Sequence, residues 1–223
     1  MTLILSMRGN DGLLMAADRR VIANGWALSQ GKIETLGNCC VGCAQGLDWA
    51  ATILDRVRAS GIVTSSMTAL QLAESLASEV SKMLKRSPGI LERKEEPRFV
   101  VAGFNGSEDA AIYELNPGES HELKRQRNFG KTGFIDRAVY YAEILPVATF
   151  SEVALSDLSV VAIWILVETA AVSAAVDGPF DMYYIRHGKT PEKIDTSSVV
   201  ERAVRLRMDL ADFYRARLLS PDS

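Results

Sequence analysis

The chain has 223 residues, of which 48% are hydrophobic and 24% charged, an ordinary globular composition that excludes disorder as the default. Its 25 Lys and Arg against 28 Asp and Glu give a formal charge of −3, and the lack of a basic excess speaks against a dedicated nucleic-acid binder. The length suits one domain over residues 1–223, able to bury roughly 70–75% of its unfolded surface without disulfides or a structural metal.

The first elements read as strands. Thr2–Met7 and Leu13–Ala17 are short apolar runs around Asn10-Asp11-Gly12, the pattern of a β-hairpin. Asn24-Gly25 marks another turn, and Lys32–Leu36 and Cys39–Ala44 form a second strand pair around Gly37-Asn38. A helix is expected over Leu47–Ala59, with Leu47, Ala50, Ala51, Leu54 and Val57 on one face and a stop near Gly61. A second is expected over Thr68–Lys85, where Thr68 and Gln71 have capping-box spacing, and Ser87-Pro88-Gly89 ends it.

Leu91–Pro97 reads as a charged loop. Strands return at Arg98–Phe104 and Ala110–Leu115 around Asn105-Gly106-Ser107, and Leu123–Arg127 reads as a solvated edge strand. Helices are expected at Phe134–Leu145, stopped by Pro146, and at Asp157–Ala175. Phe180–Arg186 is a strand and Ser197–Leu218 a closing helix. Strands and helices come in blocks, so the class is α+β rather than alternating βαβ.

Three cysteines, Cys39, Cys40 and Cys43, crowd one predicted strand and read as core residues rather than a disulfide framework. With two histidines, His121 and His187, both read as surface residues, no metal site and no cofactor is expected. Residues 2–7 are too short a run for a signal-peptide core, and Leu158–Val176 reads as a helix buried between layers rather than a membrane span. The expected location is the cytoplasm.

Chemistry is concentrated near the amino terminus. Once Met1 is removed, Thr2 carries a hydroxyl and an α-amine on one residue, and such an amine can act as base near neutral pH. The hairpin brings Asp18, in Ala16-Ala17-Asp18-Arg19-Arg20, beside Thr2. Lys32, in Gly31-Lys32-Ile33, opens the next strand; a lysine near Thr2 would lower the hydroxyl's pKa, and Asp18 would hold that lysine charged.

Thr2, the Asp18-Arg19-Arg20 block and Lys32-Ile33 together resemble the proteasome β-subunit-like N-terminal-nucleophile hydrolases. Cys43-Ala44-Gln45-Gly46 turning into a helix, Gly130-Lys131-Thr132-Gly133 at the start of a later helix, Gly178-Pro179-Phe180-Asp181 leading into a strand and the C-terminal helix extend the resemblance over nearly the whole chain. It implies a four-layer αββα sandwich. It implies a threonine-type peptidase acting through an acyl-ester on Thr2, supported by Asp18 and Lys32. Thr132 stands where the family has a serine near the terminal amine, a backbone N–H at Gln45 or Gly46 faces the oxyanion, and Arg20 and Cys43 line the substrate pocket.

Where the family has an Asp and then a Ser, this chain has Ser173 and Val176. Ser173 can accept a hydrogen bond but supplies no carboxylate. No propeptide beyond Met1 is expected. The implied partners are a peptide or unfolded-protein substrate, further copies of the chain in a homo-oligomeric ring, and an α-type ring or unfoldase. Helices Leu47–Ala59 and Thr68–Lys85 are the implied subunit contacts. No nucleic acid or membrane is implied. Two alternatives remain open: a connectase-like transpeptidase or protein ligase, and a non-catalytic ring subunit.

Overall fold

A computed structural model describes residues 2–23, 26–44, 46–86, 97–116, 123–133, 145 and 147–218. Among the described residues, twelve strands run β1 Leu3–Gly9, β2 Gly12–Asp18, β3 Arg20–Ala23, β4 Trp26–Ser29, β5 Ile33–Leu36, β6 Cys39–Ala44, β7 Arg98–Phe104, β8 Ala110–Leu115, β9 Leu123–Gln126, β10 Phe129–Gly133, β11 Phe180–Ile185 and β12 Glu192–Lys193. The described helices are α1 Leu47–Ala59, α2 Ala69–Arg86, α3 Leu155–Val172 and α4 Ser197–Leu218, with a 3-10 turn at Val147–Glu152. The class is mixed, with sheets and helices in blocks as expected.

Two five-stranded antiparallel sheets carry the fold, ordered β10-β1-β2-β11-β12 and β5-β6-β7-β8-β9, beside a two-stranded β3-β4 ribbon. Period-two alternation sends each strand's apolar residues to two sides. Even positions of β6 and β7 (Cys40, Ala44, Val100, Ala102) cluster with Ile4, Met15 and Ala17 of the other sheet. Odd positions (Val41, Cys43, Phe99, Val101) cluster with Ile53, Leu54 and Val57 of α1 and Leu72, Leu76 and Val80 of α2. Leu3, Leu5, Leu14 and Ala16 of the first sheet cluster with Leu158, Ile163 and Leu166 of α3 and Val199 and Ala203 of α4. Each fully buried Leu, Ile or Phe contributes about 1.5–3 kcal/mol, so these clusters dominate the stability.

One helix start is capped locally and another from a distant turn. Thr68 Oγ1 accepts the Gln71 N–H (3.2 Å) and Gln71 Oε1 accepts the Thr68 N–H (2.9 Å), a reciprocal capping box before α2. Asp11, at the first hairpin turn, does more than turn the chain: its Oδ1 accepts the Leu155 N–H at 2.8 Å, satisfying a free donor at the start of α3. α3 is long and apolar enough to cross a membrane by length and composition. Its buried apolar residues, from Leu155 to Leu166, pack in the α3–α4–sheet cluster, and Arg207 of α4 pairs with Glu168 at 2.7 Å.

Gly130-Lys131-Thr132-Gly133 departs from expectation. It forms strand β10, which the apolar pattern did not predict, pairing with β1 in the register Ile4↔Thr132 and Ser6↔Gly130. Two glycines and a lysine hide this strand from a reading of apolar alternation. It forms because β1 has a free edge and because Gly130 lets the other sheet approach, a Cβ there falling 2.4 Å from Ile112 Cγ2. The helix expected at Phe134–Leu145 and its stop at Pro146 lie almost wholly outside the described residues, as do Asn24-Gly25, Ser87-Pro88-Gly89, most of the 91–97 loop and His121. His187 is exposed and packs edge-on against Phe104 with ring centroids 5.4 Å apart.

Candidate active site

The hairpin register Ile4↔Ala17 brings the start of β1 against the end of β2. Asp18 Oδ1 accepts the Leu3 N–H at 2.8 Å. Leu3 N is one peptide bond from Thr2, about 2.4 Å from its Cα, so Thr2 Cα lies within about 5 Å of that carboxylate. Asp18 Oδ2 accepts the Arg20 N–H at 3.1 Å and Lys32 Nζ at 2.7 Å. Lys32 Nζ also donates to the Arg20 carbonyl at 2.6 Å. Both side chains of the Asp18–Lys32 pair are 0% exposed, and Thr2 itself is only 7% exposed. Asp18 therefore contacts both Lys32 and the residue that follows Thr2.

Burial dominates the electrostatics of the pair. Desolvation lowers the Lys32 ammonium and raises the Asp18 carboxyl, while the ion pair and its hydrogen bonds oppose both shifts. Burial thus loosens the proton on Lys32 while Asp18 opposes that loss. Removing either partner would strand a buried charge, a cost of about 3–5 kcal/mol.

Thr132 is 4% exposed, and its Oγ1 is buried with no hydrogen-bond partner among the described residues. It sits opposite Ile4, so alternation puts Thr2 and Thr132 on one sheet face as diagonal neighbours. The residue before it is anchored from the other sheet: Glu114 Oε1 accepts the Lys131 N–H at 2.7 Å, and Glu114 Oε2 accepts from Gln126 Nε2 at 2.9 Å. Gly46 precedes α1 with φ 46° and ψ 45°, left-handed geometry that favours glycine, and its carbonyl accepts the Ala50 N–H at 2.8 Å. Gln45 lies outside the described residues.

The remaining expected residues sit differently. The Arg20 guanidinium pairs with Asp177 at 2.9 Å, so it is already engaged. Cys43 is 5% exposed and belongs to the apolar cluster under α1 and α2, where burial pushes its thiol well up; that placement gives no open pocket wall. Ser173 Oγ accepts the Ala175 N–H at 3.3 Å just past α3, and Val176 is buried among the α3–α4–sheet apolar residues. Neither bonds to the Asp18–Lys32 pair.

Sequence reading missed the Leu3 N–H and the Arg20 carbonyl, because backbone groups carry no residue signal. It also missed Asp177 and the buried Asp181, which pairs with Lys193 at 2.7 Å and Arg19 at 3.5 Å. The run Asp18-Arg19-Arg20 was the available hint that carboxylates would gather there.

No protein-family model matches the chain, and no curated protein matches it in sequence. Solved structures do match. The helical assembly of the Anbu complex from Pseudomonas aeruginosa aligns with a TM-score of 0.82 at 18% identity, over 99% of this chain and 98% of that one. Anbu (ancestral beta-subunit) from Yersinia bercovieri aligns at 0.80 and 14%, over 99% and 98% of the two chains. The fold is shared with Anbu. An Anbu from Hyphomicrobium sp. strain MC1 aligns at 0.77 and 12%, over 99% of this chain and 100% of that one. These neighbours correct the resemblance to the proteasome β-subunit-like N-terminal-nucleophile hydrolases: the likeness found is to Anbu. Short motifs such as Asp18-Arg19-Arg20 mark a strand end and its charges, which related folds can share, and so do not separate one group from another.

Proposed function

We propose that this chain is a subunit of an oligomeric assembly and a threonine-type peptidase, acting in the cytoplasm, in which Thr2 is the nucleophile once Met1 is removed. The stacking of sheet, helix and sheet clusters supports a four-layer αββα arrangement around the site. In this reading the Thr2 hydroxyl attacks the scissile carbonyl and its proton passes to the Thr2 α-amine. That amine then protonates the leaving amine, giving an acyl-ester on Thr2. Water attacks the ester, the amine takes the water's proton, and the hydroxyl and the free acid are restored. The Gly46 N–H, at the positive end of α1, faces the oxyanion, a contribution of about 3–4 kcal/mol in other hydrolases. Lys32 stabilises the developing oxygen charge, with Asp18 and the Arg20 carbonyl fixing its position.

One observation carries this reading: a fully buried Lys32–Asp18 pair whose carboxylate also takes the Leu3 N–H, directly after Thr2. The test is intact mass followed by turnover of an unfolded-protein substrate. A chain beginning at Thr2 whose peptidase activity vanishes in Thr2→Ala supports the reading; retained Met1 in active protein, or activity surviving Thr2→Ala, overturns it. Product masses with an added amine separate hydrolysis from transfer to that amine.

A non-catalytic subunit is the second reading. Ser173 and Val176 favour it, since neither offers a carboxylate or bonds to the Asp18–Lys32 pair. The helical assembly described for the Pseudomonas aeruginosa neighbour supports the oligomeric part of either reading.

A further inference from the structure

A cleft of about 370 Å³ lies away from this site, lined by Arg8, Ala110, Arg125, Gln126 and Arg127. Arg8 is near the far end of β1, about 20 Å from Thr2 at the rise of an extended strand. Arg125 is on β9, and Arg127 follows it in the turn to β10. The backbone holds the walls together, since the Arg8 N–H donates to the Asn128 carbonyl at 2.9 Å.

Charge in the cleft is out of balance. No acidic side chain is among its lining residues. Asp109 pairs with Arg125 from one side and is itself held by Asn105 Nδ2 at 3.1 Å. Asp109 also feels the charge of Arg8, although among the described residues neither Arg8 nor Arg127 forms a salt bridge. Among the described residues, a chain of formal charge −3 thus gathers three arginines at one concavity against two neighbouring carboxylates, Asp109 on Arg125 and Glu114 on Gln126, a local excess of positive charge that favours entry of an anion. The volume is within the range of small-molecule sites, roughly 300–1,000 Å³. A single carboxylate satisfies one guanidinium fork, whereas a diphosphate offers enough oxygens and charge for several forks at once.

We propose that the Arg8–Arg125–Arg127 cleft is a binding site for a small diphosphate-bearing anion. The site is independent of the reading of Thr2 as nucleophile. Calorimetric titration of the full chain with inorganic pyrophosphate, at fixed ionic strength set with sodium chloride, tests it. Saturable binding is expected, weakened at least tenfold by Arg127→Ala and by Arg8→Ala, and unchanged by Arg58→Ala on α1. Arg127 is exposed, so its removal leaves the fold intact, which circular dichroism verifies. Adenosine diphosphate competing with pyrophosphate identifies a nucleotide as the carrier; failure to compete identifies the free inorganic anion, and both support the site. Absence of saturation, or binding untouched by both arginine substitutions, overturns it.

Discussion

Lys32 and Asp18 are where one side chain matters most. Lys32→Met leaves the Asp18 carboxylate buried beside the Leu3 and Arg20 N–H groups with no cation, and should lower stability by about 3–5 kcal/mol in urea denaturation. Adding Asp18→Asn should recover part of that loss, because the two groups are coupled. Cysteine chemistry follows from burial as well. Burial pushes the Cys39 thiol up to about 11 from 9.0 and raises Cys40 and Cys43 too. The folded state therefore holds these protons more tightly than the unfolded chain. Their contribution is intact below about pH 9 and is lost as pH rises through about 11. Unfolding midpoints should fall over that window and fall less in Cys39→Ala. A disulfide reagent at neutral pH should leave all three thiols unmodified until denaturant is added. The buried cysteines and the nearness of Asp18 to the start of β1 were legible from residue type and hairpin position, whereas Lys32 entered the grouping only through the family resemblance. The Arg20–Asp177 pair was not legible, since its partners are far apart in the chain and meet only when β2 and β11 align.

Among elements, α1, β7, β8 and α4 fall on their expected bounds because apolar period and turn residues agree there. The α2 capping box is a local device, and Thr68→Ala should cost about 1 kcal/mol, measurable as a lower thermal midpoint. Strand β10 is the opposite case: its residues favour no element, and neighbours decide. Gly130→Val would drive a side chain into Ile112 and should force the sheets apart, lowering stability by about 1–3 kcal/mol or more. Glu114→Gln keeps the shape while weakening the charge-assisted bond to the Lys131 N–H. In the proposed enzyme it should reduce turnover through Thr132 while circular dichroism stays unchanged, and restoring the charge with Asp should not fully rescue, the shorter side chain falling short of that N–H.

Across the whole molecule, the proposed assembly predicts a mass several times that of one chain by light scattering, independent of whether Thr2 is catalytic. A monomer at all concentrations would count against the subunit reading. Composition excluded disorder, and hydropathy with turn chemistry was enough to mark the strand and helix blocks, because those signals act over a few residues. Long-range pairing did the rest. It decided that Gly130–Gly133 is a strand, that Cys43 faces α1 and α2, that Asp11 caps α3 and that a backbone N–H and a carbonyl complete the Asp18–Lys32 site. Such outcomes depend on which surfaces meet after folding, and partners far apart in the chain leave no mark in any local pattern.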